Sequence, residues 1–305
     1  MTRIDHGDDA LNTLAGDAPR ILLVGGGRLA CTLLRSMSGN IRAVLLRDAA
    51  AAARFAASAP AVAVYTAFDR IPLSEYDTVW IVTSDASIAG VAAELARQRA
   101  DWHGVTVLHS SGATSAGALD PLAERGATTC VLHPNGSFTG AAPVPRGIVW
   151  GVSEGAGDAA CEHAMRLIGH LAPKLVVVRD QYRVLYHAAA SVAANYSVTL
   201  FAIAAELYRR AGFSGKDARE VVAAFMHASA DRAASAEPAD VLTGPIARGD
   251  ADVVRRQYEA VRRHAPEYFA VLEELALATA RIAGSEQTEM WRRVVEGRNS
   301  GVDDR

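Results

Sequence analysis

The sequence predicts an α/β domain built on a parallel sheet, followed by an all-helical domain. Between residues 20 and 179 short apolar runs alternate with amphipathic helical patterns, the order expected of strands joined by crossover helices. From residue 180 onward long helical spacings continue with almost no strand signal. The chain has 305 residues and 50% hydrophobic content, enough for one large or two ordinary domains with a sizeable core. The expected division is a lead-in over 1–18, the α/β domain over 19–179, the helical domain over 180–298 and a tail over 299–305.

The first strand, Ile21-Leu22-Leu23-Val24, runs directly into Gly25-Gly26-Gly27-Arg28-Leu29-Ala30, and a helical pattern (Leu29, Leu33, Leu34, Met37) follows. Glycines at the first and third positions allow a tight turn and close approach of a pyrophosphate to the backbone. Ala30 lets the helix pack near the strand, and the helix start offers amides and a positive dipole end. The six residues therefore read as a dinucleotide-binding loop; the alternative is a plain strand–helix turn. A second apolar run, Ala43-Val44-Leu45-Leu46, ends in Arg47-Asp48. A carboxylate at such a strand end accepts from a ribose 2′-hydroxyl, whereas an arginine suits a 2′-phosphate. Arg47 holds the end and Asp48 is expected to point the other way, which favours NADP(H) over NAD(H), with Arg28 as a second cation. Otherwise Arg47 is a solvated strand terminus.

Further strands are expected at 61–65, 77–83, 104–109, 127–132, 147–152 and 174–178, with the clearest intervening helices over 85–99 and 158–171. The alanine-rich stretch 49–57 is a good helix former. Helices should then cover 180–211, 215–235, 250–264, 265–283 and 286–297, with Pro238, Pro245 and Pro266 marking joints.

Ligands of an open parallel sheet sit outside the carboxyl ends of its strands. That rule selects Thr83-Ser84-Asp85, His109-Ser110-Ser111-Gly112-Ala113 and the segment opening His133-Pro134-Asn135. Thr83, Ser84 and Asp85 are candidate cofactor contacts; His109, Ser111 and His133 are candidate substrate contacts. Asp85 could equally cap a helix, Ser111 could be a turn residue, and each histidine could be a hydrogen-bonded structural one. On the first helix of the second domain Arg183, His187, Ser191 and Asn195 recur every four residues among alanines and valines. A polar stripe on an apolar helix needs partners, and a substrate can supply them. His187 could donate a proton near neutral pH, with Ser191 and Asn195 orienting a carbonyl. The alternative is a seam bonded to neighbouring helices or to a second copy. Arg248, in Thr243-Gly244-Pro245-Ile246-Ala247-Arg248-Gly249-Asp250, could clamp a carboxylate or pair with Asp250.

Bulk properties narrow the classes. A net charge of −3 and a pI near 6.3 provide no basic field for nucleic acid or anionic membrane. No apolar run reaches the roughly 18–20 residues of a membrane span, and residues 1–19 lack a signal-peptide core. Cys31, Cys130 and Cys161 have no metal spacing and read as buried thiols of a reducing cytoplasm. No metal site is expected. Lysine occurs only at Lys174 and Lys216, neither placed as a buried catalytic amine, so Schiff-base chemistry is not expected.

These motifs, with His133-Pro134, Tyr186-His187-Ala188-Ala189-Ala190 and Asn195, resemble a family of Rossmann-like proteins that carry a C-terminal domain of unknown function. It is distantly similar to ketopantoate reductase, pyrroline-5-carboxylate reductase and the 6-phosphogluconate and β-hydroxyacid dehydrogenases. The resemblance implies a Rossmann domain and a helical domain of the 6-phosphogluconate dehydrogenase C-terminal type through which two copies dimerise. It also implies NADP(H)-dependent reduction of a small keto acid, ketopantoate being the named guess, or of an imine. The rival reading is a regulatory or scaffold protein that binds NADP(H) without turnover. Two departures stand out: neighbouring families place a lysine on the helix where His187 stands here, and Asn135-Gly136 replaces a longer apolar or glutamine side chain before Ser137-Phe138.

Overall fold

The computed structural model describes residues 18–284 and 288–297. The chain divides into two compact units, Met1–Ala194 and Asn195–Arg305. In the first, eight strands form one sheet: β1 (Ile21–Val24), β2 (Ile41–Leu45), β3 (Ala63–Tyr65), β4 (Thr78–Ile81), β5 (Thr106–His109), β6 (Thr128–Pro134), β7 (Val149–Ser153) and β8 (Lys174–Val178). Their spatial order is β3-β2-β1-β4-β5-β6-β7-β8. β1 to β6 run parallel, β7 is antiparallel to β6, and β8 is parallel to β7. The reversal at β7 departs from the expected parallel sheet. Residues 135–148 contain no helix, and a connection without a crossover element returns a strand antiparallel.

The longer helices between the strands are α1 (Arg28–Ser36), α2 (Ala49–Ser58), α3 (Ile88–Gln98) and α4 (Asp158–Ile168). β1, β4 and β5 are buried along their whole lengths, which is why β1 reads as an unbroken apolar run. Alternation assigns Ile21, Leu23, Trp80 and Leu108 to one face with Leu33, Leu167 and Ile168. Leu22, Val24, Val79 and Ile81 face the other way, onto Ile88, Val91 and Leu95 of α3. Each such buried Leu or Ile contributes about 1.5–3 kcal/mol. β1 lies between β2 and β4, so connections leave its carboxyl end in opposite directions, and a crevice opens there.

The first unit also holds α5 (Arg183–Ser191), and the second holds α6 (Ser197–Arg210), α7 (Gly215–Ser235), α8 (Ala251–His264), α9 (Phe269–Ile282) and α10 (Thr288–Glu296). Val254, Ala276, Leu277, Ala280, Trp291, Val294 and Val295 form the second unit's core. A π turn, Val192–Tyr196, joins α5 to α6. Asp180–Arg210 is thus a helical run of 31 residues containing an 18-residue window of mean hydropathy 1.5, long and apolar enough by length and composition to cross a membrane. This overturns the expectation that no such run exists. Arg183, His187, Ser191 and Asn195 break up the apolar pattern when it is read residue by residue, while the valines, leucines and alanines between them keep the average high.

Candidate functional site

At the crevice beside β1, a cleft of about 420 Å³ is lined by Gly25, Gly26, Gly27, Leu46, Arg47, Asp48, Phe68, Thr83, Ser84 and Ser87 among others. Gly25 has φ 117°, and a Cβ there would lie 2.7 Å from the Val82 carbonyl oxygen, so only glycine fits. At Gly26 a Cβ would meet the flexible tip of Leu46. Gly27 is different: nothing lies within 4 Å of its notional Cβ. Gly27 is also the N-cap of α1, which has no side-chain cap and no acidic residue in its first turn. The orphan amides and the positive dipole end therefore open onto empty space, which is the donor set a phosphate requires. Leu29 is half-buried and Ala30 fully buried in the core; their role is packing α1 against the sheet.

Asp48 accepts from the backbone N–H of Ala51 and caps α2, which occupies its carboxylate. Arg47 is exposed on the cleft wall and pairs with no carboxylate among the described residues. Arg28 is exposed at the start of α1 and is not among the cleft's lining residues. Thr83 and Ser84 line the cleft, and the Ser84 and Ser87 hydroxyls lie 2.9 Å apart. Asp85 opens the turn leading into α3, with Ser84 as its N-cap, and does not line the cleft. Sequence reasoning missed Ser87 and Phe68. Phe68 follows β3, where the strand-end rule already applied could have found it.

A second constellation forms where β5, β6, β7 and α5 meet. The His133 Nδ1 lies 2.7 Å from the Tyr186 hydroxyl, to which the Asn135 amide donates at 2.6 Å. The rings of His133 and His187 meet edge to face with centroids 6.1 Å apart. Two glycines make room. A Cβ on Gly112 would fall 2.6 Å from His187 Nδ1 and 3.0 Å from His133 Nε2. A Cβ on Gly151 would fall 2.5 Å from the Tyr186 hydroxyl. Burial, then the charges of His187 and Arg183, push His133 down to about 4, so it is neutral at pH 7. Burial likewise raises the Tyr186 hydroxyl above its ordinary range, against the lowering effect of Asn135. The Nδ1 of His187 is buried and has no hydrogen-bond partner. Tyr186, Asn135, Gly112 and Gly151 were not selected as site residues from sequence; the adjacency of Tyr186 to His187 in the helix was the available signal.

The other expected contacts are committed elsewhere. His109 is fully buried, accepts from Ser111 N–H at Nδ1 and reaches the Ser115 carbonyl through Nε2, so it pins the 110–115 turn. Burial lowers its pKa. The Ser111 hydroxyl accepts from the Ala113 and Thr114 amides and donates to the Thr114 hydroxyl, making it a turn residue. Ser110 ties strand ends together, accepting from Trp80 Nε1 at 2.7 Å and donating to the Leu132 carbonyl. Arg183 is 1% exposed and bonded to Asp180 and the Val178 carbonyl, while its Nη1 is buried without a hydrogen-bond partner among the described residues. The Ser191 hydroxyl donates back to the His187 carbonyl. Asn195, the first residue of the second unit, lies in the π turn Val192–Tyr196, where the changed helical repeat ends the four-residue stripe. Arg248, also in that unit, pairs with Asp250 and donates to the Thr243 carbonyl, holding its own loop.

Residues 24–134 match the description of a Rossmann-like domain, and residues 148–279 match a domain of unknown function, DUF2520. The DUF2520 match begins at the last two strands of the sheet, so it takes in Gly151, Tyr186 and His187 as well as most of the helical unit. Among solved structures, a Thermotoga maritima protein is 23% identical, covers 88% of this chain and 99% of its own, and has a TM-score of 0.62. A pyrroline-5-carboxylate reductase from Coxiella burnetii is 14% identical over 91% of this chain and 99% of its own, TM-score 0.59. A reductive aminase from Aspergillus terreus, in complex with NADPH and ethyl levulinate, is 18% identical over 92% of this chain and 95% of its own, TM-score 0.57. At these identities the likeness is one of fold. No curated protein matches the sequence.

Proposed function

We propose that this Rossmann-like, DUF2520-containing chain is an NADP(H)-dependent reductase of a small carboxylate-bearing ketone, of the 2-keto acid kind, or of an imine. The observation that carries the reading is the uncapped start of α1 facing the open side of Gly27, with Arg47 unpaired on the same cleft wall. Gly25 and Gly27 would admit the diphosphate, and Arg47 would hold the 2′-phosphate that distinguishes NADP(H). The solved structures of similar fold that were determined with NADPH support this choice. When bound, the coenzyme supplies a hydride. His187 is the group placed to supply the proton: its Nδ1 side faces Gly112, which leaves Nε2 as the atom toward the substrate. A second copy of the chain covers the exposed apolar side chains of α5 and its surroundings, Val184 at 72% and Leu185 at 70% exposure among them.

Thermal shift with NADPH, NADH and no ligand tests the first half, since a ligand bound to the folded state raises its stability by mass action. NADPH should give the larger shift; no shift with either would end the reading. NADPH oxidation against a panel of 2-keto acids and cyclic imines tests the second half. Coenzyme binding without turnover of any of them would instead favour a nucleotide-sensing protein. In an active enzyme, His187→Ala should lower kcat by about 10²–10⁴ while NADPH binding persists. Light scattering at micromolar concentration should give a dimer.

A further inference from the structure

We infer that Asn135, Tyr186 and His133 form a directed hydrogen-bond string that ends on His187 and holds its proton on Nε2, and that Gly112 exists to let the two imidazoles meet. The direction follows from donor counting. The Asn135 amide donates to the phenol oxygen at 2.6 Å, and the only other hydrogen-bond partner of that oxygen among the described residues is His133 Nδ1 at 2.7 Å. The phenol's single proton must therefore go to His133 Nδ1. A neutral His133 then carries its own proton on Nε2, and burial keeps it neutral. That Nε2 lies 3.0 Å from the notional Gly112 Cβ, and the buried, unpartnered Nδ1 of His187 lies 2.6 Å from the same point. A buried nitrogen without a partner is costly, and the His133 Nε2–H, which faces the same point beside Gly112, is the donor we assign to it. His187 Nδ1 is then an acceptor, so its proton in the neutral form sits on Nε2, the outward atom. His133, Tyr186 and Asn135 are positioning residues in this account; they touch neither coenzyme nor substrate.

This goes beyond the reductase reading and uses it only for the consequence in turnover, because the tautomer can be measured with no ligand present. The experiment is nitrogen NMR of the full chain labelled with ¹⁵N-histidine, with His133→Gln and His187→Gln assigning the two rings among the nine histidines. The expected spectrum shows both His133 and His187 protonated on Nε2. Tyr186→Phe removes the donor to His133, so the bias at His187 should fall by about tenfold, to a mixture of tautomers. Gly112→Ala should have the same effect by wedging a methyl between the nitrogens. A proton on Nδ1 of either ring in the unmodified protein overturns the inference, as does a His187 tautomer unchanged in a folded Tyr186→Phe. If the Phe variant does not fold, the unmodified protein's spectrum decides alone. Failure of the reductase reading would look different: the tautomers as expected, but no NADPH oxidation.

Discussion

His163 provides a quantitative test of how the sheet's polar edge is built. It is 6% exposed, and its Nε2 lies 2.7 Å from the Thr78 hydroxyl, which itself donates to Asp77 at 2.8 Å. Thr78 has one proton and gives it to Asp77, so His163 must donate from Nε2 and accept at Nδ1 from Arg166, 3.0 Å away. Protonation would put a second N–H against a guanidinium inside a buried site. Burial first, and the Arg166 charge second, accordingly push His163 down to about 4 from an ordinary 6.5. Between those two pH values the unfolded chain binds more protons than the folded one, so stability falls as the pH drops through that window. At about 1.36 kcal/mol per unit, the loss attributable to His163 approaches about 3 kcal/mol by pH 4. His163→Gln keeps a donor for Thr78 and removes the titration. Urea unfolding followed through Trp80, Trp102 and Trp150, all buried in the first unit, should show the variant less stable at pH 7. The gap to the unmodified protein should then close, or reverse, by about 3 kcal/mol between pH 6.5 and 4. Parallel pH profiles would refute the neutral, fully bonded histidine.

Three further outcomes bear on the cleft. Arg47→Ser should weaken NADPH binding by about 10–100-fold, the share of a charge-assisted contact, and leave NADH nearly unaffected in calorimetry; equal losses for both would remove Arg47 from the phosphate. Gly25→Ala should destabilise the fold by at least about 1–2 kcal/mol, because φ 117° and the Val82 carbonyl both oppose a side chain; an unchanged melting temperature would contradict that backbone. Gly27→Ala should leave stability within about 0.5 kcal/mol, since its backbone is extended and its Cβ meets nothing, while abolishing the NADPH thermal shift.

Much of this was visible in the residues. Five of the eight strands, β1, β2, β3, β4 and β8, lie on unbroken apolar runs of four or five residues, because a strand buried on both faces, as β1 and β4 are, has no polar alternation to hide it. The glycine loop was legible because each glycine meets a different local demand. What escaped was set by contacts distant in sequence or by hydrogen bonds too local to leave a pattern. The residues alone left Ser111 and His109 open between site and turn roles, because bonds confined to residues 111–115 leave no sequence pattern. The direction of β7 depended on a helix being absent from 135–148. The stripe from Arg183 to Asn195 assumed an uninterrupted helix, and the π turn at Val192–Tyr196 breaks that assumption after Ser191.

The absence of a lysine from α5 gains a physical meaning from the cluster around His187. An ammonium there would need an acceptor or counter-charge, yet the groups at Gly112 are imidazoles, and the carboxylate of Asp180 is already paired with the buried Arg183 guanidinium one turn back. Arg183 already lowers His133, and it would disfavour a second fixed cation in the same way. An imidazole can occupy this place because it is able to be neutral and to accept at one nitrogen while donating at the other. Lysine at 187 should therefore disrupt the cluster and fail to restore the arrangement of the neighbouring families. His187→Lys should lower the melting temperature more than His187→Gln does, and a lysine variant as stable as the glutamine one would show that the pocket tolerates a cation after all.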